Sequence, residues 1–466
     1  MNHHFPPGNE CPLRYHAQRM PDAIALLLDQ HLISYQQLDG WVERCRELLQ
    51  RKGVTADQHL AVMTDSIVGT VLLSLACLRL GCVFCPINPA FPDEQKRAYC
   101  KNIDAVAVMH SSEVVFDVGH VAETVNHSFI IHPDALMNLI ATSGTSGLPK
   151  AVAHSYSNHY FSAIGSHSKT PLFQGDCWLL SLPLYHVGGL AIVMRCVMSG
   201  ATMAIDSEKK PLNRLLSMSR ISHLSLVNTQ LYRLLKMGVN FYKAGVRYIL
   251  LGGGMASPVL VDQVLKQGVT LLTTYGMTEM GSQVCTGKPL FAEAGVTSGD
   301  VLPEREICLA ESGEILVRGK PLALGYYRNG IIESVVDDQG WYHSGDKGCW
   351  FQEQLQVTGR MDNLFISGGE NIHPEEIEQA LLTLPEIIQA VVVAEFSEEF
   401  GQRPVAYVQI DEGDVDEAFT KKRLAGKIAR FKIPDRIRPF PHKMTQPGIK
   451  VNRRFFQQLN DSWIAG

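Results

Sequence analysis

Ala141-Thr142-Ser143-Gly144-Thr145-Ser146-Gly147-Leu148-Pro149-Lys150 is the stretch on which the reading of this chain turns. The apolar residues Leu136, Met137, Leu139 and Ile140 lead into it, as a buried strand would that empties into a loop of small hydroxyls and glycines. Glycines let a backbone come close to a bulky anion, and successive N–H groups and hydroxyls can then surround phosphate oxygens. Lys150 ends the stretch with a point charge suited to the same oxygens. The Walker pattern is not met, because Leu148 and Pro149 separate Gly147 from Lys150. A short Gly/Ser loop alone would be read as a solvated turn. The length and particularity of this string favour a phosphate site.

Outward from the loop, the chain is too long for one hydrophobic core: 466 residues call for two or more domains. An apolar fraction of 45% places it among ordinary globular proteins. A net charge of −5, with no long basic run, argues against nucleic acid as a partner. Met1-Asn2-His3-His4-Phe5-Pro6-Pro7 lacks the charged-then-apolar order of an export signal, and apolar runs such as 71–80 are too short to span a bilayer. Eleven scattered cysteines, an odd number, suit a reducing cytoplasm. Cys82-Val83-Phe84-Cys85 has no second pair at zinc spacing and is read as two small core residues. Self-association is compatible with all of this and specified by none of it.

Strand and helix patterns alternate on both sides of the loop. Before it come strands at 23–28 and 32–35 around Asp29-Gln30, then a helix at 36–49 with Leu38, Trp41, Val42, Cys45, Leu48 and Leu49 at helical spacing. Strands at 60–63, 82–87 and 105–109 and an apolar helix at 70–80 complete the first half. After the loop follow helices at 158–166, 188–198, 212–218 and 229–237 and strands at 177–182, 202–205, 224–227 and 246–251. The expected class is α/β, in two layered subdomains, with the loop early in the second layer. Short strands from Gly295 onward (307–310, 314–317, 350–351, 355–357) predict a small β-rich subdomain. Thr358-Gly359-Arg360-Met361-Asp362 is the expected boundary, giving a large region 1–359, a hinge 360–362 and a small region 363–466. The small region reads as α+β, with helices at 374–383 and 417–430, strands at 388–394 and 404–410, and a basic tail.

Further strings bear on chemistry. Tyr275-Gly276-Met277-Thr278-Glu279 follows the apolar run 269–272 and offers an aromatic face, a hydroxyl and a carboxylate, the groups that stack a base, contact a phosphate and hold Mg²⁺. Gly252-Gly253-Gly254 follows another predicted strand and alone says little. In Trp341-Tyr342-His343-Ser344-Gly345-Asp346, the two oxygens of Asp346 match two vicinal hydroxyls. Leu182-Pro183-Leu184-Tyr185-His186-Val187-Gly188-Gly189 places His186 beside apolar residues. Arg195 stands in the apolar run 190–197, where a charge is costly unless paired. Two readings of Arg195 stand side by side: a carboxylate partner in the protein, or a substrate with a second carboxylate that is not activated.

Together these strings resemble the adenylate-forming enzymes, the superfamily of acyl-CoA synthetases, adenylation domains and luciferases, over nearly the whole chain. The resemblance implies ATP, Mg²⁺ and coenzyme A as ligands, with the phosphates on Thr142, Ser143, Gly144, Thr145, Ser146 and Lys150. It implies Tyr275 and the Gly252-Gly253-Gly254 turn at adenine, Thr278 at the α-phosphate and Glu279 on the metal. Asp346 would meet the ribose, Arg360 would add a ribose or phosphate contact, and Asp362 would be the hinge. Ile366-Ser367-Gly368-Gly369-Glu370-Asn371-Ile372-His373-Pro374-Glu375 resembles the small-domain loop of CoA ligases acting on aromatic acids, so Gly368 and Gly369 would line the pantetheine path. Arg195, His186 and Gly276 would belong to the acyl site. Gln446-Pro447-Gly448-Ile449-Lys450-Val451-Asn452-Arg453 departs from the family's Gly-Lys-x-x-Arg by one residue, Ile449. The resemblance gives the adenylation lysine as Lys450, with Lys443 the competitor. Among CoA ligases, the choice between one aryl or acyl substrate and another stays open, and a carrier-protein-loading domain and a non-catalytic nucleotide binder are the further alternatives on this fold.

Overall fold

The computed structural model describes residues 5–116, 129–142, 149–208, 210–218, 220–292, 295–367, 370–397, 399–410, 415–425, 427–441 and 453–464. Among these, two large sheets dominate the first two-thirds of the chain. One has the strand order Ile331–Glu333, Gly325–Arg328, Lys150–Ser155, Leu136–Thr142, Val83–Ile87, His59–Met63, Ala105–His110. The other runs Asp300–Val301, Ser282–Gly287, Thr270–Met277, Tyr248–Leu251, His223–Leu226, Cys177–Leu179, Thr202–Ile205, Ile24–Leu28, His31–Ser34. Both mix parallel and antiparallel pairs, and helices cover their faces. The α/β class expected from the alternation is the one observed.

Two helices, Ile67–Leu80 and Val187–Ser199, are largely apolar around their circumference and contribute to one buried cluster. Ile67–Leu80 starts where the Ser66 hydroxyl accepts from the Gly69 N–H at 3.2 Å and stops at Gly81, whose φ of 76° suits a residue without a Cβ. Val187–Ser199 is buried along almost its whole length, Arg195 included.

One expectation about layers is overturned. The phosphate-loop strands do not open the second layer: Leu136–Thr142 and Lys150–Ser155 pair antiparallel with each other and join the first sheet beside Val83–Ile87. In exchange, the early hairpin around Asp29 edges the second sheet through Ile24–Leu28 against Thr202–Ile205. Met137, Asn138, Leu139 and Ile140 are all buried, so the strand needs a central place with cover on both faces. Sequence spacing reveals such a strand but not which sheet receives it.

Arg305–Leu309, Glu314–Gly319, Tyr342–Phe351 and Gln354–Arg360 form the β-rich unit expected after Gly295, as a four-stranded antiparallel sheet. Farther on, Ile387–Ser397, Gly401–Ile410 and Arg436–Pro439 make a three-stranded sheet covered by Pro374–Leu382 and Arg453–Ile464. The helix expected over 417–430 ends at Leu424, and the basic tail contains a strand and a helix. Helices Pro12–Arg19, Asp93–Asn102 and Pro258–Leu265 went unread. Asp93–Asn102 buries only Tyr99 and so carries no apolar period, while the others begin at a proline and are eight residues long. No helix among the described residues is long and apolar enough to cross a membrane.

Candidate active site

The strands of the second sheet end at a common edge, and the candidate residues gather there. Tyr248–Leu251 and Thr270–Met277 are parallel neighbours, so the Gly252-Gly253-Gly254 turn and the Tyr275–Glu279 segment leave the sheet side by side. Gly252 is held close: a Cβ there would lie 2.7 Å from Thr274 Cγ2. Gly276 is closer still, with the Ser282 carbonyl oxygen 2.0 Å from where its Cβ would stand, so that position tolerates no side chain.

Three distant strings meet at Asp346. It lies on the strand Tyr342–Phe351, paired with Arg360 across the ladder, rather than on an exposed turn. The Tyr275 hydroxyl donates to Asp346 Oδ2 at 2.7 Å, and Arg360 Nη1 donates to Asp346 Oδ1 at 3.2 Å. Burial and then the Asp346 charge raise the Tyr275 hydroxyl well above its ordinary range, so it keeps its proton and remains a donor. Arg360 also bonds Asp362 Oδ1 at 2.8 Å, so the expected hinge residue is tethered to the expected ribose carboxylate through one guanidinium.

Thr278 and Glu279 form a tight turn, Thr278–Met280, fastened from three sides. His154 Nε2 donates to the Thr278 carbonyl at 2.7 Å, Ser162 Oγ to the Gly281 carbonyl at 2.6 Å, and the Ala323 N–H to the Glu279 carbonyl at 2.7 Å. Burial lowers His154 to about 4, so its ring is neutral. Glu279 Oε1 accepts from the Tyr326 hydroxyl at 2.8 Å, and that hydroxyl lies 3.1 Å from the hydroxyl of Tyr342. Lys150 Nζ sits 4.6 Å from the centre of the Tyr326 ring. A carboxylate held by one oxygen beside a lysine suits a hard cation shared with phosphates, the usual manner of Mg²⁺.

Thr142 and Lys150 face each other across the hairpin, where Thr142 Oγ1 reaches the Lys150 carbonyl at 3.5 Å. Ser143, Gly144, Thr145 and Ser146 between them lie outside the described residues, as do Gly368, Gly369, Lys443 and Lys450. Arg453, three residues beyond Lys450, bonds Glu375 at 3.1 Å and Glu378 at 2.8 Å on the helix Pro374–Leu382.

The acyl candidates lie on and before the helix Val187–Ser199. His186 precedes it, exposed, its ring 4.7 Å from that of Tyr185. Arg195 is 4% exposed and lies over the Trp178 ring at 5.2 Å. Its Nη2 reaches Ser282 Oγ at 3.4 Å, and its Nε has no partner among the described residues. Ser282 pairs with Met277, so Arg195 arrives at the strand that holds Gly276. Among the described residues no carboxylate lies within ion-pair distance of Arg195, and burial lowers it to about 10, leaving it charged at neutral pH. Arg305 is similar: its donors go to the carbonyls of Gln283, Pro303 and Ser162. The reading of Arg195 that needs a protein carboxylate has no support here.

Sequence reasoning missed Tyr326, His154 and Ser282. Tyr342 lies four residues before Asp346, and nothing in its spacing marks it as a partner of Tyr326. Gly325-Tyr326-Tyr327 carries no spacing that marks it, and a buried histidine on a strand looks like any core residue.

Residues 13–327 match the AMP-binding enzyme family, and residues 376–446 match the AMP-binding enzyme C-terminal domain. The chain is 37% identical to the 2-succinylbenzoate--CoA ligase of Haemophilus influenzae over 460 residues, 95% of this chain and 96% of that one. It is similar to a variant of Escherichia coli MenE with bound OSB-AMS, at TM-score 0.85 and 32% identity, over 97% of this chain and 98% of that one. Two structures of the Bacillus subtilis o-succinylbenzoate CoA synthetase each give a TM-score of 0.81 over 92% of this chain. One holds the acyl-adenylate intermediate OSB-AMP, at 27% identity over 94% of that chain. The other holds ATP and a magnesium ion, at 28% identity over 96%.

Proposed function

This chain belongs to the AMP-binding enzyme family, and from that membership and the site's geometry we infer an AMP-forming acid–thiol ligase. It converts 2-succinylbenzoate to its coenzyme A thioester through an acyl-adenylate, a step of menaquinone synthesis. ATP, Mg²⁺ and coenzyme A are required. In the first half-reaction the succinyl carboxylate attacks the α-phosphorus and the bond to the β-phosphate oxygen breaks, releasing pyrophosphate. In the second, the thiol sulfur of coenzyme A attacks the acyl carbon and AMP leaves.

The residues divide this work. Tyr275 and the Gly252-Gly253-Gly254 turn bound the adenine, Asp346 takes the ribose hydroxyls, and Arg360 steadies Asp346. Thr278, Lys150 and the hydroxyls of Thr142, Ser143, Thr145 and Ser146 receive the phosphates. Mg²⁺, held by Glu279 together with phosphate oxygens, would offset negative charge as pyrophosphate departs. Lys450 adds its charge to the first half-reaction. The small region then turns about Asp362, which withdraws Lys450 and brings Gly368 and Gly369 to the pantetheine path, with His186 at its mouth. Arg195 takes the ring carboxylate of the acid beside Gly276, so that only the succinyl carboxylate reaches phosphorus. Free thiols at all eleven cysteines fit a reducing compartment, and the cytoplasm is the proposed location.

The meeting of Tyr275, Asp346 and Arg360 at one carboxylate carries this reading, because it joins strings 71 and 14 residues apart into one nucleotide face. Pyrophosphate exchange into ATP tests it. 2-Succinylbenzoate should support exchange far better than benzoate or a fatty acid, and equal exchange with all three would reject the substrate.

A further inference from the structure

Glu279 and Lys150 are opposite charges that both have work to do at the phosphates, and no ion pair joins either to another described residue. One side chain, Tyr326, contacts both. Gly325–Arg328 pairs antiparallel with Lys150–Ser155, with Tyr326 opposite Val152 and Tyr327 opposite Ala151. Alternation along that strand sends Tyr327 into the first sheet's core, where its hydroxyl bonds Asp104 at 2.7 Å. Tyr326 takes the other face. Lys150 is the diagonal neighbour on that face, two residues from Val152, within reach of an aromatic ring. So the ammonium lies at the ring face and the carboxylate at the hydroxyl, 4.6 Å from the centroid and 2.8 Å from the oxygen respectively.

We propose that Tyr326 is a positioning residue that keeps Lys150 and Glu279 apart, orienting the carboxylate through its hydroxyl and parking the lysine on its ring, so that both stay available to phosphate and cation. A direct Lys150–Glu279 pair would cancel the two charges before the nucleotide arrived. The aromatic spacer holds each weakly enough to be taken over by ligand. Tyr342, 3.1 Å from the same hydroxyl, backs it from the neighbouring sheet. The inference rests on the ligase reading and adds a residue to it.

Two substitutions and two half-reactions test it. Tyr326→Phe keeps the ring and loses the hydroxyl. Its Mg²⁺ concentration for half-maximal pyrophosphate exchange should rise about tenfold. Its KM for the acid, and its thioester formation from supplied acyl-adenylate, should be unchanged. Tyr326→Leu loses the ring as well and should lower the kcat of exchange beyond the Phe variant, again sparing the second half-reaction. Should the Leu variant not fold, the Phe variant decides alone. An unchanged Mg²⁺ requirement in Tyr326→Phe, or equal loss in both half-reactions, overturns the proposal while leaving the ligase reading intact. Wild-type protein with no acid-dependent exchange overturns both.

Discussion

The two ends of the site are finished differently. At the nucleotide end the key polar groups already have protein partners: Asp346 has Tyr275 and Arg360, Glu279 has Tyr326, and the turn beneath Glu279 is fastened by His154, Ser162 and Ala323. At the acyl end Arg195 is buried, and among the described residues its Nε has no partner while its Nη2 makes one 3.4 Å side-chain hydrogen bond, to Ser282. An end preorganised by internal bonds holds the ligand common to every turnover at little reorganisation cost. A buried charge left without a counter-ion gains most from the one acid that brings it. On the proposed assignment of residues, the common step and the choice of acid fall to separate elements, the strand ends of the second sheet and the helix Val187–Ser199.

Substitutions can break that division in order of severity. Lys450→Ala should lower adenylation by roughly a hundredfold or more, the scale for losing one charge-stabilising donor, while thioester formation from supplied adenylate persists. Rapid-quench measurement of each half-reaction checks this, and equal loss in both would contradict the two-position scheme. Asp346→Ala should raise the KM for ATP about tenfold to a hundredfold whichever acid is offered, since a hydrogen bond to a charged group is at stake. An acid-dependent effect would mean that the ends are not separate.

The smallest effect sharpens the comparison through pH. His154 is neutral in the fold, lowered by burial to about 4 from an ordinary 6.5. Between those values the unfolded chain binds the proton and the folded chain does not. Stability from His154 is therefore fully present above pH 6.5 and is lost as pH falls toward 4. Denaturant midpoints across that window should slope less in His154→Phe than in wild type. Identical slopes would mean that the ring under Thr278 is not held neutral.

Much of the nucleotide end was legible because its residues sit in contiguous strings at strand ends, where glycine, aromatic and carboxylate occur together. Gly276 and Asp346 belong to such strings. Tyr326 and His154 do not: each acts by facing a partner across a ladder or from another element, 47 and 124 residues away in the chain. Strand order had the same limit, since the hairpin around the phosphate loop shows its burial but not its neighbours. Arg195 is visible as a charge in an apolar helix, but its spacing does not show its surroundings, which hold no carboxylate within ion-pair distance among the described residues and so leave the protein-partner reading without support.

The division of labour is tested most directly by comparing 2-succinylbenzoate with benzoylpropionate, the same keto acid without the ring carboxylate, in wild type and Arg195→Ala. The kcat/KM for pyrophosphate exchange should favour 2-succinylbenzoate strongly in wild type. In the variant that preference should collapse by about tenfold to a hundredfold, with exchange on benzoylpropionate and the KM for ATP unaltered. A preference that survives the loss of Arg195, or an equal fall with both acids, would contradict the account.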